Sequence, residues 1–334
     1  MILVTGGSGY IGSHFVLKLI EEKYDLIVLD NFSRSSPEVI DKLYELTNTK
    51  FRVIEGDIRD QSILNKIFGD NKITTVAHFA GLKSVSESEE EPALYYSTNV
   101  IGTLNLFRSM NIYGVKKILF SSTATVYQDS HPLPWYEELE NDVPKNPYAI
   151  SKFIIEEILK TKILKDNEFS AAILRYFNPI GAHKSGVIGE NITKQDGNLI
   201  PSILKVLTSQ KEKLNIYGND YDTPDGTGVR DYIHINDLID GHIKAMKYIE
   251  KNDGVKIWNL GSGKGYSVYE VLEKFEKILG LKIPTNITSR RKGDLDEYWA
   301  DTSKAQEELG WAAHEPLENM ITDTIKFLKQ NRLI

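Results

Sequence analysis

Apolar positions along this chain follow two periods. Short runs at Ile2–Val4, Leu26–Leu29, Phe51–Ile54, Thr75–Phe79, Lys117–Phe120 and Ala171–Leu174 have the length of buried strands. Between them, apolar residues recur at helical spacing. Ile11, Phe15, Val16, Leu19 and Ile20 are one example, and the stretches Leu94–Met110 and Tyr148–Leu164 are two more. Strand and helix patterns in alternation predict a parallel sheet with helices on both faces. Beyond Phe177 the pattern becomes irregular. Asn178–Gly197 is rich in Gly, Asn, His and Pro, and Gly218–Gly228 is a Gly/Asp/Thr loop. Helical patterns return at Ile235–Ile249, Val268–Ile278 and near Leu317–Leu328. The expected organisation is a first domain over 1–177 and a smaller one over 178–334, with some chain returning to the first. No internal repeat or low-complexity tract interrupts it.

A sheet of this kind places ligands at the carboxyl ends of its strands, and the chemically informative residues fall there. Gly6, Gly9 and Gly12 follow the first strand as G-x-x-G-x-x-G and open a helix. The first glycine permits a tight turn, the second lets backbone approach a pyrophosphate, and the third lets helix and strand pack closely. The helix N-terminus then offers amides and partial positive charge to the phosphates. Asp30 ends the second strand, 18 residues beyond Gly12. An acid there accepts hydrogen bonds from the adenosine ribose and repels a 2′-phosphate, so NAD is expected rather than NADP. A structural loop and a capping aspartate are the bland alternatives. The expected fold class is α/β, a Rossmann-type doubly wound parallel sheet with a smaller C-terminal α/β substrate domain.

Composition removes several function classes. The chain has 334 residues, 41% of them hydrophobic, which is ample for a real core. A net charge of −7 argues against a nucleic-acid footprint. Without cysteine, disulfides, Cys-ligated zinc, iron–sulfur clusters and thiol nucleophiles are excluded. The seven histidines lack the close paired spacing of a metal site, so no metal is expected. His14, beside the glycine turn, reads as a packed or capping residue. No signal peptide or membrane-length apolar run is visible, which makes a cytoplasmic enzyme the simplest expectation.

Tyr148-Ala-Ile-Ser-Lys152 is the expected chemical centre. Residues i and i+4 of a helix share one face, about 6 Å apart. A free tyrosine has a pKa of about 10, and lowering it by three units takes about 4 kcal/mol. An ammonium at ~4 Å supplies about that much at an effective dielectric of 20. Lys152, helped by a cationic nicotinamide, is the right kind of partner. The alternative is an exposed pair on a surface helix. Ser121-Ser-Thr-Ala-Thr-Val-Tyr127 follows the strand ending at Phe120. A hydroxyl here, Thr123 first and Ser122 second, can share the proton of a reacting alcohol with Tyr148. One or two of these hydroxyls are expected to serve as caps.

Eight segments occur in order: Thr5–His14, Gly56–Asp60, His78–Lys83, Ser121–Tyr127, Tyr148–Lys152, Arg175–Pro179, Gly226–His234 and Arg291–Asp294. Together, over about residues 2–310, they resemble the UDP-glucose 4-epimerases of the extended short-chain dehydrogenase/reductase superfamily. The resemblance implies that Tyr148 removes the sugar 4-hydroxyl proton and that Lys152 binds the nicotinamide ribose and lowers the tyrosine pKa. Thr123 stands where the family commonly has serine. Further implied cofactor contacts are Tyr10, Ile11, Asn31, Ser33, Gly81, Ser121 and Ser122 beside the glycines. Asp57 and Ile58 are implied at the adenine, and Phe79, Ala80 and Lys83 on the pyrophosphate side. Asn99 and Tyr176 would also line that site.

The implied nucleotide-sugar residues are Lys83, Phe177, Asn178, Asn198, Leu199, Asn215, Tyr217, Arg230, Arg291 and Asp294, with Thr123 and Tyr148 at the sugar. Chemistry agrees: Arg230 and Arg291 are forked donors for a diphosphate. Asp294 can accept from a ribose hydroxyl, and Asn215 with Tyr217 can hold a uracil edge. A salt bridge from Arg230 to Asp231 or Asp237 is the alternative. Tyr298 is bulky where family members accepting N-acetylated hexoses carry something smaller; packing beside Trp299 is the plain alternative. A homodimer through Leu94–Met110 and Tyr148–Leu164 is also implied. A 4,6-dehydratase is disfavoured because Ala124 and Thr125 replace its two acids. A UDP-uronic acid epimerase or decarboxylase, and a non-catalytic NAD-binding sensor, stay open.

Overall fold

The protein is described here as a computed structural model. The described residues are 1–127, 131–139, 143–162, 166–191, 198–291 and 294–334. Leu164, Gly197, Lys292 and Gly293, which fall within expected elements or motifs, lie outside them. The strands are β1 (Ile2–Thr5), β2 (Leu26–Asp30), β3 (Arg52–Glu55), β4 (Thr75–His78), β5 (Lys117–Thr123), β6 (Ser170–Tyr176), β7 (Asn178–Ile180), β8 (Leu214–Tyr217), β9 (Val229–His234), β10 (Gly254–Leu260), β11 (Gly265–Ser267), β12 (Thr285–Thr288) and β13 (Glu297–Tyr298). The helices are α1 (Tyr10–Glu21), α2 (Glu38–Thr47), α3 (Gln61–Asp70), α4 (Val85–Glu90), α5 (Pro92–Tyr95), α6 (Gly102–Ile112), α7 (Pro147–Lys162), α8 (Leu199–Leu207), α9 (Ile235–Ile249), α10 (Val268–Leu279), α11 (Ser303–Leu309) and α12 (Leu317–Gln330).

Two compact units divide the chain. The first comprises Met1–Gln128, Glu140–Arg175 and Ile239–Trp258. The second comprises Asp129–Leu139, Tyr176–Leu238 and Asn259–Ile334. The first is built on a seven-stranded sheet in the order β10-β6-β5-β4-β1-β2-β3. From β3 to β5 the pairings are parallel, for example Val4 opposite Val28 and Ala77. The chain winds outward through β2 and β3, then returns to β4 on the other side of β1. That reversal is the switch point of a doubly wound fold, where a crevice opens at the strands' carboxyl ends. The four residues of β1 are buried, as are those of β4, because helices cover both faces. Leu3, Ile27, Leu29, Val76, Ile118, Phe120, Ile155, Leu159 and Ile173 share one core cluster.

The stretch Leu94–Met110 is not one uninterrupted α-helix. A π-helical turn, Tyr96–Ile101, joins α5 to α6. Apolar spacing cannot register one residue inserted into a helix, so the pattern alone reads straight through it. Such turns recur at functional sites.

The second unit centres on β9, flanked by β11 and β13, with β7 also paired to it. Strands β8 and β12 form a separate parallel pair. Its core gathers Ile203, Leu204, Leu214, Val271, Phe275, Ile321 and Leu328 from α8, β8, α10 and α12. Ser267 opens α10 with a full capping box to Glu270, and Gly280 closes it at φ 72°.

Candidate active site

Backbone closes in on the glycine turn at Gly6 and Gly12. Gly6 has φ 72°, and a Cβ there would lie 2.5 Å from the amide nitrogen of Ala80. A Cβ on Gly12 would lie 2.1 Å from the carbonyl oxygen of Gly6. Gly9 stands at the N-cap of α1, and no side chain of the described residues caps that end. Tyr10, Ile11 and Gly12 are therefore the first helical residues, at the positive end of the dipole. Asp30 is at the carboxyl end of β2 beside them. Its Oδ2 accepts from the Ser8 amide at 3.0 Å, and its Oδ1 from the Phe32 amide at 2.9 Å and the Ser35 hydroxyl at 3.3 Å. The carboxylate is thus a cap for the turn as well as the expected ribose acceptor. A cradle that a single Cβ would fill, with helix amides at its rim and a fixed acid beside it, fits an NAD dinucleotide.

Neighbouring loops extend this cradle. Asn31 donates to Asp57 at 2.8 Å and accepts from the Ser33 amide and hydroxyl at 3.0 and 2.8 Å. Arg59 grips Asp57 at 3.0 and 2.8 Å, and this bond above all holds the Asp57 carboxyl down to about 2. Ile58 is only 4% exposed and packs into the core against Gly102. Phe79 stacks obliquely on Phe15 and His242 at 5.2 and 5.3 Å. Gly81 faces the Asn99 carbonyl and the Lys152 ammonium, whereas Lys83 is exposed. Buried Asn99, carried by the π-helical turn, accepts from the Leu82 amide at 2.8 Å. It donates to the Leu82 carbonyl and the Ser151 hydroxyl, both at 3.0 Å.

Tyr148, Lys152 and Thr123 meet at the end of β5. The Thr123 hydroxyl hydrogen-bonds the Tyr148 phenol. It also accepts from the Thr125 amide at 3.2 Å, capping the short 3-10 turn Ala124–Val126. It is both a cap and the tyrosine's partner. The Lys152 ammonium is buried and donates to the Ser121 carbonyl at 2.8 Å. Loss of solvation pulls its pKa down to about 8. The phenol departs from the sequence expectation. Burial raises its pKa above the ordinary value, and the Thr123 hydrogen bond draws it back down. The physical reason is that a desolvated ammonium turned to a backbone carbonyl gives less help than one free to face the phenol. His78, behind this cluster, bridges the hydroxyls of Thr5 and Thr103 at 2.7 and 2.8 Å. Burial, aided by the Lys152 charge, keeps it neutral with a pKa of about 3.

In the second unit, Asn215 and Tyr217 lie on β8 and Arg291 stacks over the Tyr217 ring at 3.9 Å. Burial opposes ionisation of that phenol, but hydrogen bonds from Arg291 and Asn215 outweigh it and lower its pKa. Arg230, on β9, does not pair with Asp231 or Asp237. It forms an ion pair with Asp294, donates to the Leu295 and Val229 carbonyls at 2.8 Å, and covers the Tyr298 ring at 4.6 Å. Tyr298 stacks flat on Trp135 at 5.0 Å and 4°, and meets Phe177 at 6.2 Å, so its ring packs on these two rather than simply beside Trp299. Asn178 donates to the Asp231 carbonyl at 2.8 Å; Asn198 and Leu199 open α8. Tyr176 and Phe177 are buried at and just past the end of β6.

Sequence reading missed Trp135, whose amide and carbonyl bond Trp299 and Asp301 at 3.0 and 2.7 Å. It also missed Glu156. The available signal was an acid four residues after Lys152, on the helix face otherwise filled by buried residues.

Residues 2–261 match the model of the NAD dependent epimerase/dehydratase family. UDP-glucose 4-epimerase of Yersinia pestis is 46% identical over 330 residues, covering 99% of this chain and 98% of that one. The Homo sapiens UDP-glucose 4-epimerase is 46% identical over 336 residues, covering 99% and 97%. The Bifidobacterium longum UDP-glucose 4-epimerase, solved in complex with NAD+ and UDP, superposes with a TM-score of 0.95 at 42% identity, covering 99% of both chains. The chain belongs to the NAD dependent epimerase/dehydratase family and, within it, to the UDP-glucose 4-epimerases.

Proposed function

We propose that the protein interconverts UDP-glucose and UDP-galactose in the cytoplasm, with NAD held tightly at the glycine turn. The observation that carries this reading is the meeting of Tyr148, Thr123 and Lys152 at the end of β5. Bound NAD would supply a hydride acceptor that becomes the donor once the sugar has turned, and a positive ring charge that favours a phenolate. Gly6, Gly9, Gly12 and the α1 amides would hold its pyrophosphate, and Asp30 its adenosine ribose.

The chain's own residues supply the rest. Tyr148 takes the proton of the sugar 4-hydroxyl and later returns it. The Thr123 hydroxyl bonds the phenol and keeps it aimed, and it lowers the phenol's pKa against the effect of burial. Lys152, fixed by the Ser121 carbonyl, places positive charge one helical turn from Tyr148. In the second unit, Arg230 and Arg291 offer forked donors to the diphosphate. Tyr217 and Asn215 would meet the uracil, and Asp294 the uridine ribose. Tyr298, held flat against Trp135, favours the unsubstituted hexoses. The Ala124–Thr125 pair offers no acid to expel a hydroxyl, which disfavours a dehydratase.

We read the protein as a homodimer using the helical faces around α6 and α7. Ile101 (52% exposed), at the end of the π-helical turn, and Leu104 (43%) and Ile112 (60%) of α6 leave an apolar stripe there.

The test is incubation with UDP-galactose without added NAD. Formation of UDP-glucose supports both the reaction and a cofactor that travels with the protein. Tyr148→Phe should abolish turnover while UDP-sugar binding persists. Near-normal activity in that variant, or no product from the unaltered chain, overturns the reading.

A further inference from the structure

Behind the proton-transferring cluster lies a buried ionic network that its chemistry does not use. Glu156, Arg175 and Ser122 are each at most 1% exposed. Arg175 on β6 donates to Glu156 from Nε at 3.1 Å and from Nη2 at 2.7 Å. The Tyr127 ring covers the guanidinium at 4.7 Å. Burial opposes the charge on Arg175, but the Glu156 carboxylate and Tyr127 outweigh it and raise its pKa. One oxygen of Glu156, already shared with Arg175, also accepts the Ser122 hydroxyl at 2.5 Å.

The arrangement has a register. Tyr148, Lys152 and Glu156 are successive i, i+4, i+8 residues of α7 and form one stripe along its face. Each grips a different residue at the end of β5. Lys152 holds the Ser121 carbonyl, Glu156 holds the Ser122 hydroxyl, and Tyr148 meets the Thr123 hydroxyl. A one-residue slip of the strand end would break all three contacts. Only the Glu156 contact is anchored elsewhere, by a two-point fork to the neighbouring strand.

We propose that Glu156 is a positioning residue for proton transfer, acting through Ser122 to lock the end of β5 against α7 so that Thr123 stays on the Tyr148 phenol. The proposal rests on the epimerase reading for its activity readout, but its geometric claim can be tested apart from it. Groups facing the phenol are Thr123 from β5 and the Tyr95 ring, edge-on at 6.4 Å, from α5; Lys152, one turn along the same helix, turns its ammonium to the Ser121 carbonyl. His78 of β4 lies within reach of the Lys152 charge and stays neutral.

Ser122→Ala is the clean variant. It removes one hydroxyl and leaves the Glu156–Arg175 fork intact, whereas Glu156→Gln would leave Arg175 buried without its counter-charge. The Tyr148 titration is read as the tyrosinate absorbance difference between each chain and the same chain carrying Tyr148→Phe. With the Thr123 bond loosened, the Tyr148 midpoint should rise by about half a pH unit or more. The kcat for UDP-galactose should fall about fivefold or more at unchanged KM, and its pH profile should move in the same direction. An unmoved midpoint overturns the proposal, whether kcat is unchanged or falls together with the melting temperature. If the unaltered chain does not turn over UDP-galactose, the epimerase reading fails; the titration still decides the positioning claim.

Discussion

Replacing Gly12 by alanine sets two effects of opposite sign against each other. Gly12 is the third residue of α1, and alanine in a helix is favoured over glycine by about 1 kcal/mol. Propensity alone therefore predicts a more stable chain. The added Cβ, however, would lie 2.1 Å from the Gly6 carbonyl oxygen and 2.9 Å from two further backbone atoms, where ordinary contact starts at 3.4 Å. The turn would have to open by about 1.3 Å, the difference between 3.4 and 2.1. It has little room. The Gly6 amide is bonded to the Leu29 carbonyl at 2.8 Å, and the Ala80 backbone closes its other side. Overpacking of this kind costs about 1–3 kcal/mol, more than the propensity gain. A displacement near 1 Å in the cradle should also lower turnover by roughly 100-fold, because positioning is lost. The assay is NAD released per protomer on denaturing purified Gly12→Ala, alongside a thermal melt and UDP-galactose turnover. Full NAD content with a melting temperature at or above that of the unaltered chain would refute the steric argument.

Two further outcomes are expected. Asp231 is fully buried, and burial pushes its carboxyl up to about 6 against hydrogen bonds from Ser262, Ala300 and Gly263. Because the folded value lies above the unfolded one, its stabilisation is complete below about pH 4 and lost as pH rises through about 6. Thermal melts from pH 4 to 7 should show that slope, and Asp231→Asn should lack it; identical slopes would contradict the assignment. The homodimer should scatter light as two chains at micromolar concentration, and a monomeric mass would dismiss it.

The strands that form the cofactor half of the site are written plainly in the sequence. Runs such as Leu26–Leu29 are buried on both faces, so they carry no polar interruptions, and β2 extends only one residue further, to Asp30. The glycine positions were equally legible, because a turn that excludes a Cβ leaves only one residue type. What could not be read depends on tertiary pairing. The partner of Arg230 is Asp294, 64 residues away, while two nearer acids carried equal weight in the sequence. The elevated phenol of Tyr148 follows from how deeply the hydroxyl is enclosed and where the Lys152 ammonium turns, neither of which spacing encodes. Glu156 was hidden for a similar reason: its meaning comes from Ser122 and Arg175, on two other strands.

The order in which the sheet is assembled has a consequence for biosynthesis. Strand β10 pairs with β6 at the margin of the seven-stranded sheet, yet it begins at Gly254. Helix α9, most of which belongs to the first unit, precedes it directly. A nascent chain that has emerged only through β6 would leave a fully buried strand, Ser170–Tyr176, with one side unpaired. Unprotected strands of this kind recruit other chains. A fragment cut after Phe177 is therefore expected to aggregate even though it carries the glycine turn, Tyr148 and Lys152. The cofactor-holding half becomes a finished folding unit only after about half of the second unit has left the ribosome.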